Sequence, residues 1–242
     1  VKSIELLDQI VQVLKETEKK VEDLSSLSSK NKEKVLKMIR EAAENFSALK
    51  EEVVIDNEKL ASFFLKRATK LKNATNNKTV ERLGEKEYVK DVRAILRYSK
   101  AAPYDFAGYM KYVNRAYKAY LWGLISFFII SGLFPLGFKF TSLLLLIPVL
   151  LSLLSLKKRG YTGLMLAFAV TPIPIITGAY AINYGIHAVG NPEEINAVAQ
   201  AFGTSPGVAQ VIIFLFLLLG LIDVVFLGYA TYMFYKHRSA FL

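Results

Sequence analysis

AQVIIFLFLLLGLIDVVFLGYATYMFY, residues 209–235, is the stretch that decides the fold. It carries a single formal charge, Asp223, in an otherwise apolar run. A helix needs about 20 mainly apolar residues to cross a bilayer, and this run exceeds that length. Three more apolar runs precede it, at 120–134, 141–156 and 161–186. The first two flank FPLGFKF (134–140), where Pro135 and Gly137 form turns and Lys139 is charged. That pattern predicts a tight hairpin of two crossings. Because 141–156 is short, a re-entrant pair that fails to cross is the alternative.

The expected fold class is therefore all-α: a polytopic helical membrane protein with four transmembrane helices and an N-terminal cytosolic helical hairpin or coiled-coil region. Charge separates the two parts. Residues 1–118 hold 25 of the 31 Lys and Arg and 18 of the 21 Asp and Glu, and the rest of the chain is nearly uncharged. The predicted division is a cytosolic helical region at 1–100, an interfacial aromatic-basic segment at 101–119 and a four-span domain at 120–242. An outer helical loop occupies 187–208 within that domain. Residues 1–20 alternate apolar with charged side chains and lack the continuous apolar core of a secretory signal.

Flanking charges orient the spans. Lys111, Arg115, Lys118, Lys157, Lys158, Arg159, Lys236 and Arg238 fall on one side if every run crosses, and Lys139, Glu193 and Glu194 on the other. Cytoplasmic loops carry the excess of Lys and Arg, so both termini are expected in the cytoplasm of a multi-pass cell-membrane protein. Asn45, Asn73 and Asn77 open Asn-X-Ser/Thr triplets, which would call for the opposite side. The triplet is weakly specific in so polar a region.

Within the N-terminal region Val35, Ile39, Ala42, Phe46, Leu49 and Val53 step by four and three, and Leu60 and Phe64 continue the stripe. An apolar seam on a charged helix suits coiled-coil or hairpin packing, within the chain or between copies. The spacing predicts a long helix over 32–72, with a kink at the β-branched residues near 53–57. Ser3 is expected to cap a first helix, and residues 25–31 to end it and cap the second. A turn is read at 73–79 and a third helix at 85–98, broken by Pro103, with Asp105 capping a short helix beyond. Arg93, Arg97, Lys111, Arg115 and Lys118 alternate with tyrosines near the membrane boundary, a pattern that favours anionic lipid headgroups. No nucleic-acid fold signature accompanies the charge, so lipid is the expected partner rather than nucleic acid.

The candidate chemistry centres on Asp223. An ionisable group deep in a span is expensive and marks a functional site by default. Aligning the midpoints of the last two runs sets Asp223 level with Thr171-Pro172-Ile173-Pro174. The two prolines withdraw amide donors and free backbone carbonyls. A carboxylate facing a broken helix can bind a proton or a small cation, with Thr171, Thr177 and Tyr180 as expected partners. The structural alternatives are a buried acid that only fixes helix packing and one that sits at an interface with another subunit. In the outer loop Asn191 caps a short helix, Pro192 opens it and Gly203 ends it; it reads as a lid, equally a plug or a gate.

The absence of cysteine excludes disulfides and thiol chemistry from this sequence. No phosphate loop, HExxH or GxSxG motif occurs, and His187 and His237 stand alone. No catalytic residues, metal or cofactor are therefore expected. The expected role is a non-enzymatic oligomerising scaffold, a homo-oligomer or a subunit of a membrane complex. A channel or a proton- or ion-coupled transporter built on Asp223 is the alternative.

Overall fold

A computed structural model describes the backbone of residues 1–133 and 136–242 and the side chains outside 134–138. Of the hairpin expected at Pro135 and Gly137, Pro135 lies outside the described residues, and the backbone of Gly137 is helical rather than a turn because a helix already begins at Leu136. Every regular element among those described is helical, and Val1–Lys111 and Tyr112–Phe241 form two compact units.

The first unit contains α1 (Lys2–Glu22), α2 (Ser29–Glu52), α3 (Glu58–Ala74), α4 (Asn77–Leu83) and α5 (Glu85–Phe106). The helix α1 packs on α2 and α3, while α5 closes on α2. Leu7, Ile10 and Leu14 recur at helical spacing and meet Val35, Ile39, Phe46 and Leu49 of α2 in one core. Phe64 of α3 and Tyr88, Val92 and Phe106 of α5 complete it. The apolar seam on α2 is thus covered within the chain, and Val53 and Leu60 lie half-buried at its edge. Tyr88 has no exposed surface, and its hydroxyl donates to Thr75 Oγ1 at 2.9 Å because that threonine's own proton goes to the Leu71 carbonyl. Burial pushes the Tyr88 phenol up to about 12.

Several local expectations need correction. Residues 32–72 form two helices, because Val53 adopts an extended conformation and the chain turns. The amides of Val54 and Ile55 both donate to the Phe106 carbonyl, at 2.9 and 3.0 Å, which satisfies donors that a broken helix would orphan. Asn57 then caps α3 by accepting from the Leu60 amide at 3.1 Å. Ser3 does not cap α1. It is buried, and its amide and hydroxyl donate to Asp56 Oδ1 at 3.0 and 2.6 Å. Ser28 precedes α2 without a side-chain cap of its own and instead donates to Glu85 Oε1. The expected turn at 73–79 contains the start of α4, capped by Asn76. The helix α5 passes through Pro103, since a proline removes only one amide there and buried Ala101, Ala102 and Phe106 anchor the last turns. Asp105 consequently lies inside α5, in its last turn, rather than at the start of a separate short helix.

The second unit follows α6 (Met110–Leu133) with α7 (Leu136–Lys157), α8 (Tyr161–Val170), α9 (Pro172–Ala188), α10 (Pro192–Phe202) and α11 (Pro206–Lys236). Four stretches are long and apolar enough to cross a membrane: Met110–Leu133, Lys139–Lys157, Tyr161–Ala188 and Pro206–Lys236. The first begins ten residues before the apolar run at 120, because the basic and aromatic residues 110–119 continue the same helix. The third is α8 and α9 joined at Thr171. Pro172 and Pro174 deprive the Phe168 and Val170 carbonyls of their usual donors there.

This unit turns large apolar side chains outward and buries several polar groups within an otherwise apolar interior that includes Phe127, Ile130, Leu164, Phe216 and Leu227. Phe140, Leu143, Ile147 and Leu154 of α7 are each more than 60% exposed, while Ser126, Ser131, Ser152, Thr171, Thr177 and Asp223 are buried. Tyr120 of α6 donates to Ser152 Oγ of α7 at 2.8 Å, as the serine proton goes to the Val149 carbonyl. In α10, Asn191 accepts from the Glu193 amide, Pro192 opens the helix and Gly203 ends it in the left-handed region.

Candidate functional site

The buried face of α11 repeats at Ile213, Phe216, Gly220, Asp223, Leu227 and Ala230, alternating steps of three and four. That periodicity places Asp223 on the inward stripe of its helix. Opposite it, α9 presents Thr177, Gly178, Ala181 and Gly185, all buried.

Small residues let the two helices approach closely. A Cβ on Gly178 would stand 2.9 Å from the Asp223 carboxyl carbon and from Oδ2. A Cβ on Gly220 would meet the Gly178 carbonyl at 2.8 Å, and one on Gly185 would meet Leu217 Cβ at 2.7 Å. Gly123 of α6 faces Leu227 in the same way. The carboxyl of Asp223 is therefore clamped against bare backbone.

Asp223 is fully buried, and neither carboxyl oxygen has a hydrogen-bond partner among the described residues. A buried polar group without a partner costs about 1–3 kcal/mol, and more when charged. The expected partners are engaged elsewhere or turned away. Thr171 donates to the Ala167 carbonyl at 2.6 Å and Thr177 to the Ile173 carbonyl at 3.0 Å, so both hydroxyl protons stay on their own helix. Pro174 is buried, whereas Pro172 and Tyr180 are exposed. The register also differs from the expectation. Asp223 lies against Gly178, one turn beyond Pro174, and not level with residues 171–174. Glycine contacts set the register of α9 on α11, and matching span midpoints ignores them.

Toward the α10 end of this seam lies a cavity of about 250 Å³, bounded by Tyr180, Tyr184, Val198, Phe202, Ile213 and Phe216. Phe216 is two turns, about 10 Å, from Asp223 on the same face of α11. Its ring meets Tyr184 edge-on at 5.9 Å, and the Tyr184 hydroxyl donates to Glu194 of α10 at 3.1 Å. Phe216 and Gly220 thus stand between the cavity and the acid.

No protein-family model, curated protein or solved structure matches this chain. The residues themselves must carry the functional reading. Sequence reasoning missed Gly178, Gly185 and Gly220, because a glycine in an apolar run reads as filler until its neighbour is known. It also missed the Tyr120–Ser152 bond. The residues expected to meet lipid headgroups, Arg93 and Arg97 on α5 and Lys111, Arg115 and Lys118 on α6, are all exposed and recur at about one-turn spacing within each helix. Among the described residues no three His, Asp or Glu side chains converge to hold a metal ion.

Proposed function

We propose that this chain is a non-enzymatic multi-pass protein of the cell membrane. Four crossings anchor a cytosolic helical bundle, which serves as an oligomerising platform or as a subunit of a larger membrane assembly. One observation carries this reading: the second unit turns large aliphatic side chains outward and buries hydroxyls and a carboxyl, the reverse of a water-facing surface. The basic clusters flanking the four helices support cytoplasmic termini and contact with anionic lipid. Because α1 and α5 cover the α2 seam, assembly contacts fall to other faces of the bundle.

The lack of cysteine makes the topology directly testable. Single substitutions Lys30→Cys, Lys158→Cys and Gln200→Cys sit at exposed positions. In intact cells a membrane-impermeant maleimide should label only Gln200→Cys, and permeabilisation should expose the other two. Labelling of Lys30→Cys from outside, or release of the protein by alkaline carbonate, would refute the placement. Cross-linking in native membranes should link the bundle to a second copy or another protein. Recovery of intrachain links alone would remove the assembly role.

The unpartnered Asp223 favours a second reading, a proton or small-cation site reached from the cavity beside α10. In proteoliposomes under an imposed pH gradient, this reading expects flux that Asp223→Asn abolishes while the protein still folds. The platform reading expects no flux and normal assembly of the variant.

A further inference from the structure

The bundle is electrically lopsided. Residues 1–57 carry 10 basic and 12 acidic side chains, whereas 58–106 carry 12 basic and 6 acidic ones. The excess positive charge therefore belongs to α3, α4 and α5. A cleft of about 270 Å³ opens between these three helices. Arg67 and Lys70 of α3, Arg82 and Thr79 of α4 and Asp91 of α5 line it, over a floor that includes Leu71, Ile95 and Tyr98.

Several cations elsewhere in the bundle reach carboxylates across helices. Lys72 meets Glu16, Arg40 meets Glu18, Lys50 meets Asp8 and Lys100 meets Glu41. Among the described residues Arg67, Lys70 and Arg82 have no carboxylate within ion-pair distance, and Arg67 instead lies over the Phe63 ring at 5.3 Å. Three like charges around one concavity repel one another unless an anion joins them. The fork of an arginine guanidinium matches the paired oxygens of a phosphate, and Thr79 adds a hydroxyl. The cleft has the size of a small molecule or headgroup, which is too small for a protein helix. Asp91 is out of place for a bare anion, but a carboxylate there can accept hydrogen bonds from hydroxyl groups next to a phosphate. Leu71 and Ile95 offer apolar contact to the carbon skeleton.

We propose that this cleft binds a phosphate ester that carries neighbouring hydroxyls, either as a polyol phospholipid headgroup or as a free polyol phosphate. The site lies wholly within the first unit and does not depend on the number of crossings or on Asp223.

The test uses the full chain in an uncharged maltoside detergent. Calorimetric titrations employ glycerol 3-phosphate, inorganic phosphate and dihexanoylphosphatidylglycerol, each at fixed chloride. Saturable binding of glycerol 3-phosphate is expected, weakened at least tenfold by Arg67→Gln and by Arg82→Gln and unchanged by Lys30→Gln on α2. Asp91→Asn should erase the preference for glycerol 3-phosphate over inorganic phosphate, an effect that diffuse positive charge would not produce. Binding of the short-chain lipid but not of glycerol 3-phosphate, with the same arginine dependence, assigns the site to a headgroup. Binding of glycerol 3-phosphate but not of the short-chain lipid assigns it to the free ester. The proposal fails if neither ester saturates, or if the arginine substitutions leave affinity unchanged with helicity intact.

Discussion

Replacing Gly178 by alanine puts a methyl group 2.9 Å from the Asp223 carboxyl, and the nearest atoms belong to a short side chain on a packed helix. Relief requires α9 and α11 to separate, and overpacking of this kind costs about 1–3 kcal/mol. Gly178→Ala should therefore lower the thermal midpoint of the detergent-solubilised protein. Gly132→Ala is its control: among the described residues no atom beyond its own helix backbone lies within 4 Å of that Cβ, so alanine's helix propensity should leave stability equal or slightly higher. Equal midpoints for the two variants would mean that the α9–α11 approach is not held by Gly178. The acid at this site was legible in sequence, since a charge interrupts an apolar run. Its neighbour was not, because glycine carries no polarity or bulk to betray a contact. Thr171 and Thr177 misled for a related reason: a hydroxyl in an apolar helix can always return its proton to a carbonyl one turn back.

A second residue-level consequence concerns acid. Hydrogen bonds from the Ser3 hydroxyl and then its amide hold the Asp56 carboxyl below the usual range. The Ser28 hydroxyl, chiefly, does the same for Glu85. A carboxyl with a depressed folded pKa adds stability that is fully present above its unfolded value, near 4, and lost as pH falls through the folded value. The bundle's urea midpoint should thus be flat from about pH 7 to 5 and decline below about pH 4. Asp56→Asn with Glu85→Gln should flatten that decline. An unchanged acid slope would show that these bonds do not persist in solution.

Among the elements, the joints decide the bundle. The apolar stripe of α2 and the capped α10 could be read directly, because each is a local pattern of residue types. The break at 53–57 was only half legible. Its β-branched residues announced a weak helix, but the acceptor that makes a full turn possible, the Phe106 carbonyl, lies some fifty residues away. The α4–α5 joint at Gly84 has φ +87 and ψ 141, a conformation that side-chain-bearing residues avoid. A Cβ there meets no atom within 4 Å, so the penalty of Gly84→Ala is purely one of backbone, about 1–3 kcal/mol. The joint also presents Glu85 to Ser28. Gly84→Ala should therefore reduce the bundle's urea midpoint. A midpoint within error of the parent would place the joint's strain elsewhere.

At the scale of the whole molecule, the two units are stabilised by different physics. The bundle buries apolar side chains away from water, so its stability should fall with urea in proportion to the surface it exposes. In the second unit many large apolar side chains face outward, and close glycine-mediated packing with an internal hydroxyl bond joins its helices around a partly apolar interior; with the proposed membrane placement those outward faces meet lipid or detergent. Urea acts weakly on such contacts, whereas mixed micelles of a harsher detergent attack them. Two separable transitions are the expected outcome. Phe46→Ala, which empties a fully buried position in the first core, costs about 3–5 kcal/mol and should shift the urea transition seen by far-ultraviolet circular dichroism. It should leave the detergent-induced transition where it was. Gly178→Ala should do the opposite. The sole tryptophan, Trp122 on α6, reports the second unit by fluorescence while circular dichroism reports both. If either substitution moves both transitions equally, the units fold as one cooperative body. The separate clusters, Leu7, Phe46 and Tyr88 in the first unit and Ile130, Ala181 and Phe216 in the second, argue against that outcome, because each is built within its own stretch of chain.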